Sequence, residues 1–344
     1  MHLLEDLYLP LYLITSSVIS TLANLRTLRN LRLAHPTYVQ WRRSAISSDS
    51  LQPITDHQEH HFMHLHSLEI DTTFDYIPRV LCAHPTLTSR TKHLSLSCLP
   101  PLPGITLATL FGPLLTSPSA FQSLTHLSLN FIVPIHKPEG YGLGANFFAP
   151  FLAAPFLKHL VSFHLQHRSP LELDDDALAA IVQCMPNLES FRLSTASHSA
   201  SHMSRPIIDT SLLALVYLMK SCPRLKEIEL PVDADWFRVP TIKHLQPTRH
   251  PVLLDLSISP IGPVGLGEAD SPGDVARFLA ALFPHKDSEF RVRGGKPGTL
   301  KNMGYSTMQE EGDNDKPSSY AHRWSTVLEQ IEKRSASGCS GEGV

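Results

Sequence analysis

The sequence is poor in the residues that most directly reveal chemistry. It has five cysteines in 344 residues, and none of them form a Cys-x-x-Cys pair. This usage predicts neither a disulfide framework nor a zinc-finger site, and it suits a reducing compartment. Asn-x-Ser/Thr sequons, which mark secreted surface loops, are also absent. We therefore expect an intracellular protein, cytoplasmic or nuclear.

Long apolar runs and an excess of one charge are missing too. No stretch of 18 or more apolar residues could span a bilayer, and Glu5 and Asp6 stand where a secretory signal would carry Lys or Arg. The formal net charge is −3 and the isoelectric point about 6.7, so the chain has no global basic field. These features predict that neither nucleic acid nor a membrane is a partner.

The chain does contain a short sequence repeat. Its first position is Leu or an equivalent residue, and its fourth and sixth positions are apolar. The mean spacing of the copies is roughly 31 residues, within the range of solenoid repeats. The copies begin at Leu4, Leu28, Leu65, Thr91, Leu124, Leu160, Leu188, Leu225 and Leu253, and a degenerate last copy holds Phe290 and Val292.

Helix-like runs separate these copies, at 74–82, 107–116, 147–154, 175–184, 211–222 and 274–283. Asp174 or Asp175, Thr210 and Asp274 are candidate N-caps, and prolines close most of the runs. Each repeat is therefore predicted to consist of a helix, a turn and a short strand. Such units must stack as a parallel sheet with the helices on its other face, which predicts an α/β solenoid.

Two junctions carry a family resemblance: CMPNL at 184–188 and CPRL at 222–225, with Cys82 close to the same pattern. On these and the repeats, the chain resembles leucine-rich-repeat proteins, in particular the repeat region of fungal F-box/leucine-rich-repeat proteins. The resemblance implies a horseshoe with the sheet on the concave face and helices on the convex face. No F-box is visible, and the first copy begins at residue 4. We expect either a fragment or a partner that covers this end.

The predicted organisation has four parts. Residues 1–293 form a solenoid of about ten irregular repeats, and 294–319 form a disordered linker rich in Gly, Asp and Lys. In 320–334, apolar residues at helical spacing predict a short amphipathic helix, which either covers the last repeat or binds a partner. Residues 335–344 are predicted to be a disordered tail.

No set of residues has the composition of a catalytic site. The cluster DHQEHHFMHLH, with His57, His60, His61, His64 and His66, matches no metalloprotease spacing and leads into a strand. The acidic run 174–176 precedes a helix, where capping explains it, and the cysteines at helix ends lack a companion His and Asp or Asn. We predict no enzyme, no cofactor and no metal site.

Function is then expected on the surface that the repeats create. The apolar fourth and sixth positions of each copy point inward, so the third, fifth and seventh positions point to the open face. This predicts a polar stripe in copies four to seven and an acidic stretch in copies eight and nine. The candidate partner-binding residues are His93, His126, Asn130, His164, Gln166, Arg192, Glu227 and Glu229, with Trp236 from the long loop 231–250.

Three functions remain open at this point. The resemblance implies substrate recognition in ubiquitin-ligase-linked turnover, with a Skp-type adaptor if an F-box precedes this chain and a protein target on the concave face. The alternative is a repeat scaffold that regulates an enzyme without any ubiquitin link, as an inhibitor or as a GTPase activator that uses Arg32 or Arg192. A metal-dependent hydrolase built on the histidine cluster is the third.

Overall fold

The computed structural model describes residues 4–34, 62–73, 76–83, 86–99, 121–131, 143–149, 151–167, 171–195, 210–232, 247, 251–258, 272–285, 287–294, 326–327, 329–331 and 333. The chain packs as two compact units. The N-terminal unit comprises 1–169 and 184–188, and the C-terminal unit comprises 170–183 and 189–344.

Six repeat strands of the N-terminal unit pair in parallel in sequence order. They are β1 (Asp6–Pro10), β2 (Asn30–Ala34), β3 (Ser67–Thr73), β4 (His93–Leu99), β5 (His126–Phe131) and, after the two-residue β6 (Leu143–Gly144), β7 (Ser162–His167). The helices are α1 (Ser16–Ala23), α2 (Tyr76–Ala83), α3 (Thr86–Ser89) and α4 (Ala145–Phe148), with 3-10 turns at Leu11–Leu13, Phe151–Ala153 and Pro155–His159.

In the C-terminal unit, after the short β8 (Leu171–Glu172), four repeat strands are again parallel neighbours in sequence order. They are β9 (Ser190–Thr195), β10 (Glu227–Val232), β11 (Leu253–Ile258) and β12 (Glu289–Gly294). The helices are α5 (Asp175–Gln183), α6 (Leu213–Ser221) and α7 (Pro272–Leu282). Parallel repeat strands, with helices in several of the connections that the structure describes, confirm the predicted α/β class of the leucine-rich-repeat type.

The core is a ladder of apolar side chains, because alternate residues of a strand point to opposite faces. At the fourth and sixth repeat positions of β2 to β5 and β7, every side chain is at most 1% exposed. These residues are Leu31, Leu33, Leu68, Ile70, Leu94, Leu96, Leu127, Leu129, Phe163 and Leu165. Thr91, the polar substitute at a first position, is fully buried and its hydroxyl donates to the carbonyl of Leu87 at 2.5 Å. The ladder fixes which residues face outward.

The helix N-termini are only partly as predicted. Asp174 caps α5, since its Oδ1 accepts from the amide of Ala177 at 2.7 Å. Thr210 does not cap α6: its hydroxyl donates to the carbonyl of Leu173, while the hydroxyl of Ser211 accepts from the amide of Leu213 at 3.1 Å. Buried at 3% exposure, Thr210 satisfies its hydroxyl on the preceding segment instead. Asp274 lies inside the first turn of α7 rather than at its cap.

The ninth copy is shifted by two residues from the predicted frame. In the pairing register Glu227 lies beside Leu253, and Glu229 lies beside Asp255. Leu253 therefore occupies a third position and Leu254, 1% exposed, a fourth. A strand has a side-chain period of two, so a shift of two residues leaves the inward and outward faces unchanged, and the sequence pattern cannot detect it.

Towards the C-terminus, residues 326–327, 329–331 and 333 are helical, and Val327 and Ile331 are 0% and 4% exposed. The division into solenoid, linker, helix and tail stays a prediction. Residues 295–319 and 335–344, and the predicted helix at 107–116, lie outside the described residues.

Candidate functional site: the outward face of the repeat strands

Outward residues of the N-terminal unit form three rows across the strands, because the register brings equal repeat positions side by side. The first row is Asp6, Asn30, Ser67, His93, His126 and Ser162. The second is Tyr8, Arg32, Glu69, Ser95, Ser128 and His164. The third is Pro10, Ala34, Asp71, Ser97, Asn130 and Gln166.

On β4, β5 and β7 these rows contain only uncharged hydrogen-bonding side chains. We name these nine residues the polar patch: His93, Ser95, Ser97, His126, Ser128, Asn130, Ser162, His164 and Gln166. All are exposed or half-buried, whereas the alternate residues of the same strands are buried. Five of the predicted partner-binding residues thus lie on three neighbouring strands, about 5 Å apart from strand to strand.

Two histidines of the patch are in direct contact. The rings of His93 and His126 stack with their centroids 4.1 Å apart and their planes 26° from parallel. The hydroxyl of Thr125 lies 2.8 Å from Nδ1 of His126. Burial, followed by the charges that His126, Lys92 and His66 would carry, lowers the pKa of His93. The structure therefore favours a neutral His93 ring stacked on His126 at neutral pH.

The corresponding outward residues of the C-terminal unit are partly paired and partly buried. Arg192 forms an ion pair with Glu227, whose other oxygen accepts from the hydroxyl of Ser190 at 2.8 Å. Glu229 and Asp255, side by side in the register, are only 8% and 5% exposed. The expectation that these two carboxylates lie open to solvent is therefore wrong. Alternation along a strand sets the face to which a side chain points but cannot show that the face is covered.

Other predicted features contribute no reactive site in the part of the chain that the structure describes. Burial raises the pKa of the thiols of Cys98 and Cys184, and that of Cys222 to about 12, so these thiols stay protonated. Among the described residues no group of three His, Cys, Asp or Glu side chains could hold a metal ion. Cys82 has no described side chain, and Trp236, His57, His60 and His61 lie outside the described ranges.

Comparisons with known proteins add little to this picture. No family model matches the chain, and no curated protein matches it. Among solved structures, it is similar to a chain of the yeast Rad7–Elc1 complex, at 15% identity and a TM-score of 0.35, covering 81% of this chain and 67% of that one. Within the described residues, no helix has the length and apolar character needed to cross a membrane.

Proposed function

We propose that this protein is a non-catalytic protein-binding module whose working surface is the polar patch. The supporting observation is the set of nine uncharged hydrogen-bonding side chains held in register on three neighbouring strands, above a fully buried apolar ladder. Because the sheet fixes the backbone, a partner can bind without ordering these positions first, which lowers the entropic cost of association.

The chemistry of the patch favours a protein over a small charged ligand. Serine hydroxyls and the amides of Asn130 and Gln166 offer both donors and acceptors, as peptide groups require. Uncharged groups also cost less to remove from water than ions do. The stacked rings of His93 and His126 add a flat, partly apolar surface on which a partner side chain can pack. The proposed ligand is an extended segment or loop of a protein.

Within this role we propose substrate recognition of the F-box/leucine-rich-repeat type, linked to a ubiquitin ligase through a Skp-type adaptor. The support for this narrower role is the resemblance of the repeats and of the junctions at 184–188 and 222–225. Copurification tests it directly: a Skp-type adaptor and a cullin in the same complex as the target support it, and a target bound without either argues against it.

The enzyme-regulator alternative has less support from the contacts. A GTPase activator would need Arg32 or Arg192 available to a nucleotide, yet Arg32 lies 3.3 Å from Glu69 and Arg192 is paired with Glu227. Releasing either guanidinium would break its ion pair. We therefore favour recognition of a protein segment over assistance to a reaction.

Affinity capture from native extract tests the proposed surface. The variant His126→Glu/His164→Glu places two carboxylates in the patch, and His159→Glu makes the same exchange at an exposed position outside the rows. We expect wild type and His159→Glu to retain the same protein partner, while the double variant loses it with unchanged circular dichroism. Retention by a folded double variant would refute the proposed surface.

A further inference from the structure

A row of basic side chains borders the N-terminal ends of the strands in the N-terminal unit. Arg29, His66 and Lys92 occupy the second position of three consecutive copies, immediately before β2, β3 and β4. Backbone bonds stack them: the amide of His66 donates to the carbonyl of Arg29 at 2.8 Å, and that of Lys92 donates to the carbonyl of His66 at 2.8 Å. Neighbouring positions are therefore about 4.8 Å apart.

All three side chains are exposed, and so are Arg26 and Arg90 in the preceding turns. We name these five residues the cationic lip. None of the five forms an ion pair with a residue that the structure describes, although such a pair joins neighbouring strands elsewhere in the unit, between Arg32 and Glu69. The copy before Arg29 contributes Glu5 at the same repeat position, and the backbone carbonyl of Glu5 accepts from the amide of Arg29.

At the same repeat position of the C-terminal unit, by contrast, basic side chains are paired with a carboxylate. There Glu189 occupies the second position, and its carboxylate binds Lys226 at 2.6 Å and Arg224 at 3.3 Å. The cations of that unit are thus matched by a carboxylate from the preceding copy. Beside the cationic lip the preceding copy supplies Glu5, but no ion pair joins its carboxylate to Arg29 among the described residues, so the positive charges of the arginines and the lysine repel one another in the free protein.

We infer that the cationic lip binds an acidic segment of a protein partner, with carboxylates placed against Arg29 and Lys92. This inference rests on the proposed function and adds the charge of the ligand. Arg29 and Lys92 are two strand spacings apart, about 10 Å, so carboxylates about three residues apart in an extended peptide reach both. Paired charges of this kind chiefly provide orientation and association rate, next to the uncharged patch that provides contact area.

Nucleic acid fits the lip less well. The net charge of the chain is −3 and Glu5 and Asp6 stand beside the row, so a long phosphate backbone would meet repulsion beyond a few residues. The lip also contains no Phe, Tyr or Trp on which a base could stack. A short acidic peptide meets neither obstacle.

Fluorescence anisotropy with synthetic probes tests the inference on the full chain. The probes are a labelled octaglutamate peptide, an octaglutamine peptide of equal length and an oligouridylate of eight nucleotides. The variant Arg29→Glu/Lys92→Glu reverses two charges of the lip. The control Lys226→Glu reverses the charge at the same repeat position of the C-terminal unit, where the lysine is paired with Glu189. All substituted side chains are exposed, so thermal unfolding should change little.

We expect octaglutamate to bind wild type and Lys226→Glu within about twofold of each other, and Arg29→Glu/Lys92→Glu at least about tenfold more weakly. Binding should weaken as NaCl rises from about 50 to about 500 mM, since exposed charges are screened. Equal binding of octaglutamate to wild type and the lip variant would overturn the inference, as would stronger binding of oligouridylate than of octaglutamate.

The same experiments distinguish failure of this inference from failure of the proposed function. If wild type and the lip variant capture the same protein partner equally well and octaglutamate binds neither, the inference fails while the polar patch stands. If the partner is lost from the lip variant and octaglutamate competes it from wild type, both hold. Capture of a partner that octaglutamine displaces as well as octaglutamate does would also overturn the acidic preference.

Discussion

The two units use the same repeat to make different surfaces. In the N-terminal unit the outward rows of β4, β5 and β7 hold only uncharged polar groups, and the adjoining lip holds basic side chains that form no ion pair among the described residues. In the C-terminal unit the equivalent rows hold Arg192 bound to Glu227 and the buried Glu229 and Asp255. The same backbone pairing therefore carries uncharged polar rows on β4, β5 and β7 and ion-paired or buried charged residues on β9, β10 and β11. Surface chemistry has to be judged from contacts across neighbouring repeats.

The largest expected effect concerns what the units share, the apolar ladder. Leu127 and Leu230 are 1% and 0% exposed at inward sites, the fourth and the sixth repeat position respectively. We expect Leu127→Ala and Leu230→Ala each to lower the free energy of unfolding by about 2–5 kcal/mol, because a cavity replaces a packed side chain. Urea denaturation followed by circular dichroism measures this loss. A cost below about 1 kcal/mol at either site would mean that its ladder is not a packed core.

The outward rows should differ in their contribution to stability. Glu227→Gln removes the charge that holds Arg192 and should cost about 0.5–1 kcal/mol, the scale of a partly exposed ion pair. Ser128→Ala in the polar patch should change stability by less than about 0.5 kcal/mol. The same urea titration compares the two variants. An equal loss of stability in both variants would mean that the ion pair of the C-terminal unit contributes no more than a polar residue of the patch, and would contradict the difference between the two surfaces.

A smaller effect is expected from the stacked histidines. The lowered pKa of His93 means that the unfolded chain takes up its proton at a higher pH than the folded chain does. Stability attributable to His93 is therefore fully present above about pH 6.5, and it declines as the pH falls below that value. We expect wild type to lose more stability than His93→Gln between pH 7.5 and 5.0 in urea titrations. A steeper decline in the variant would contradict the assigned direction.

Much of the fold follows from the sequence because the apolar pattern at the fourth and sixth positions sets strand polarity in every copy. The pattern misplaced the frame of Leu253 by two residues, and it assigned Thr210 as a helix cap although its hydroxyl donates to the carbonyl of Leu173. Single-copy patterns cannot detect such shifts, since a period of two is unchanged by them.

The chemistry of the outward face was harder to predict because it depends on residues far apart in sequence. Arg192 and Glu227 are separated by 35 positions and meet only once their strands are in register. The cationic lip could have been found by aligning the copies, which places Arg29, His66 and Lys92 in one column. The burial of Glu229 and Asp255 had no signal in the repeat itself.

Site-specific photo-crosslinking tests the central claim most directly. A benzophenone side chain replaces Ser95, in the polar patch, or Glu289, in the first outward row of the C-terminal unit. Each protein is incubated with native extract, irradiated and analysed by mass spectrometry. We predict a covalent protein adduct from position 95 that His126→Glu/His164→Glu abolishes, and none from position 289. An adduct from position 289 without one from position 95 would contradict the assignment of the working surface to the N-terminal unit.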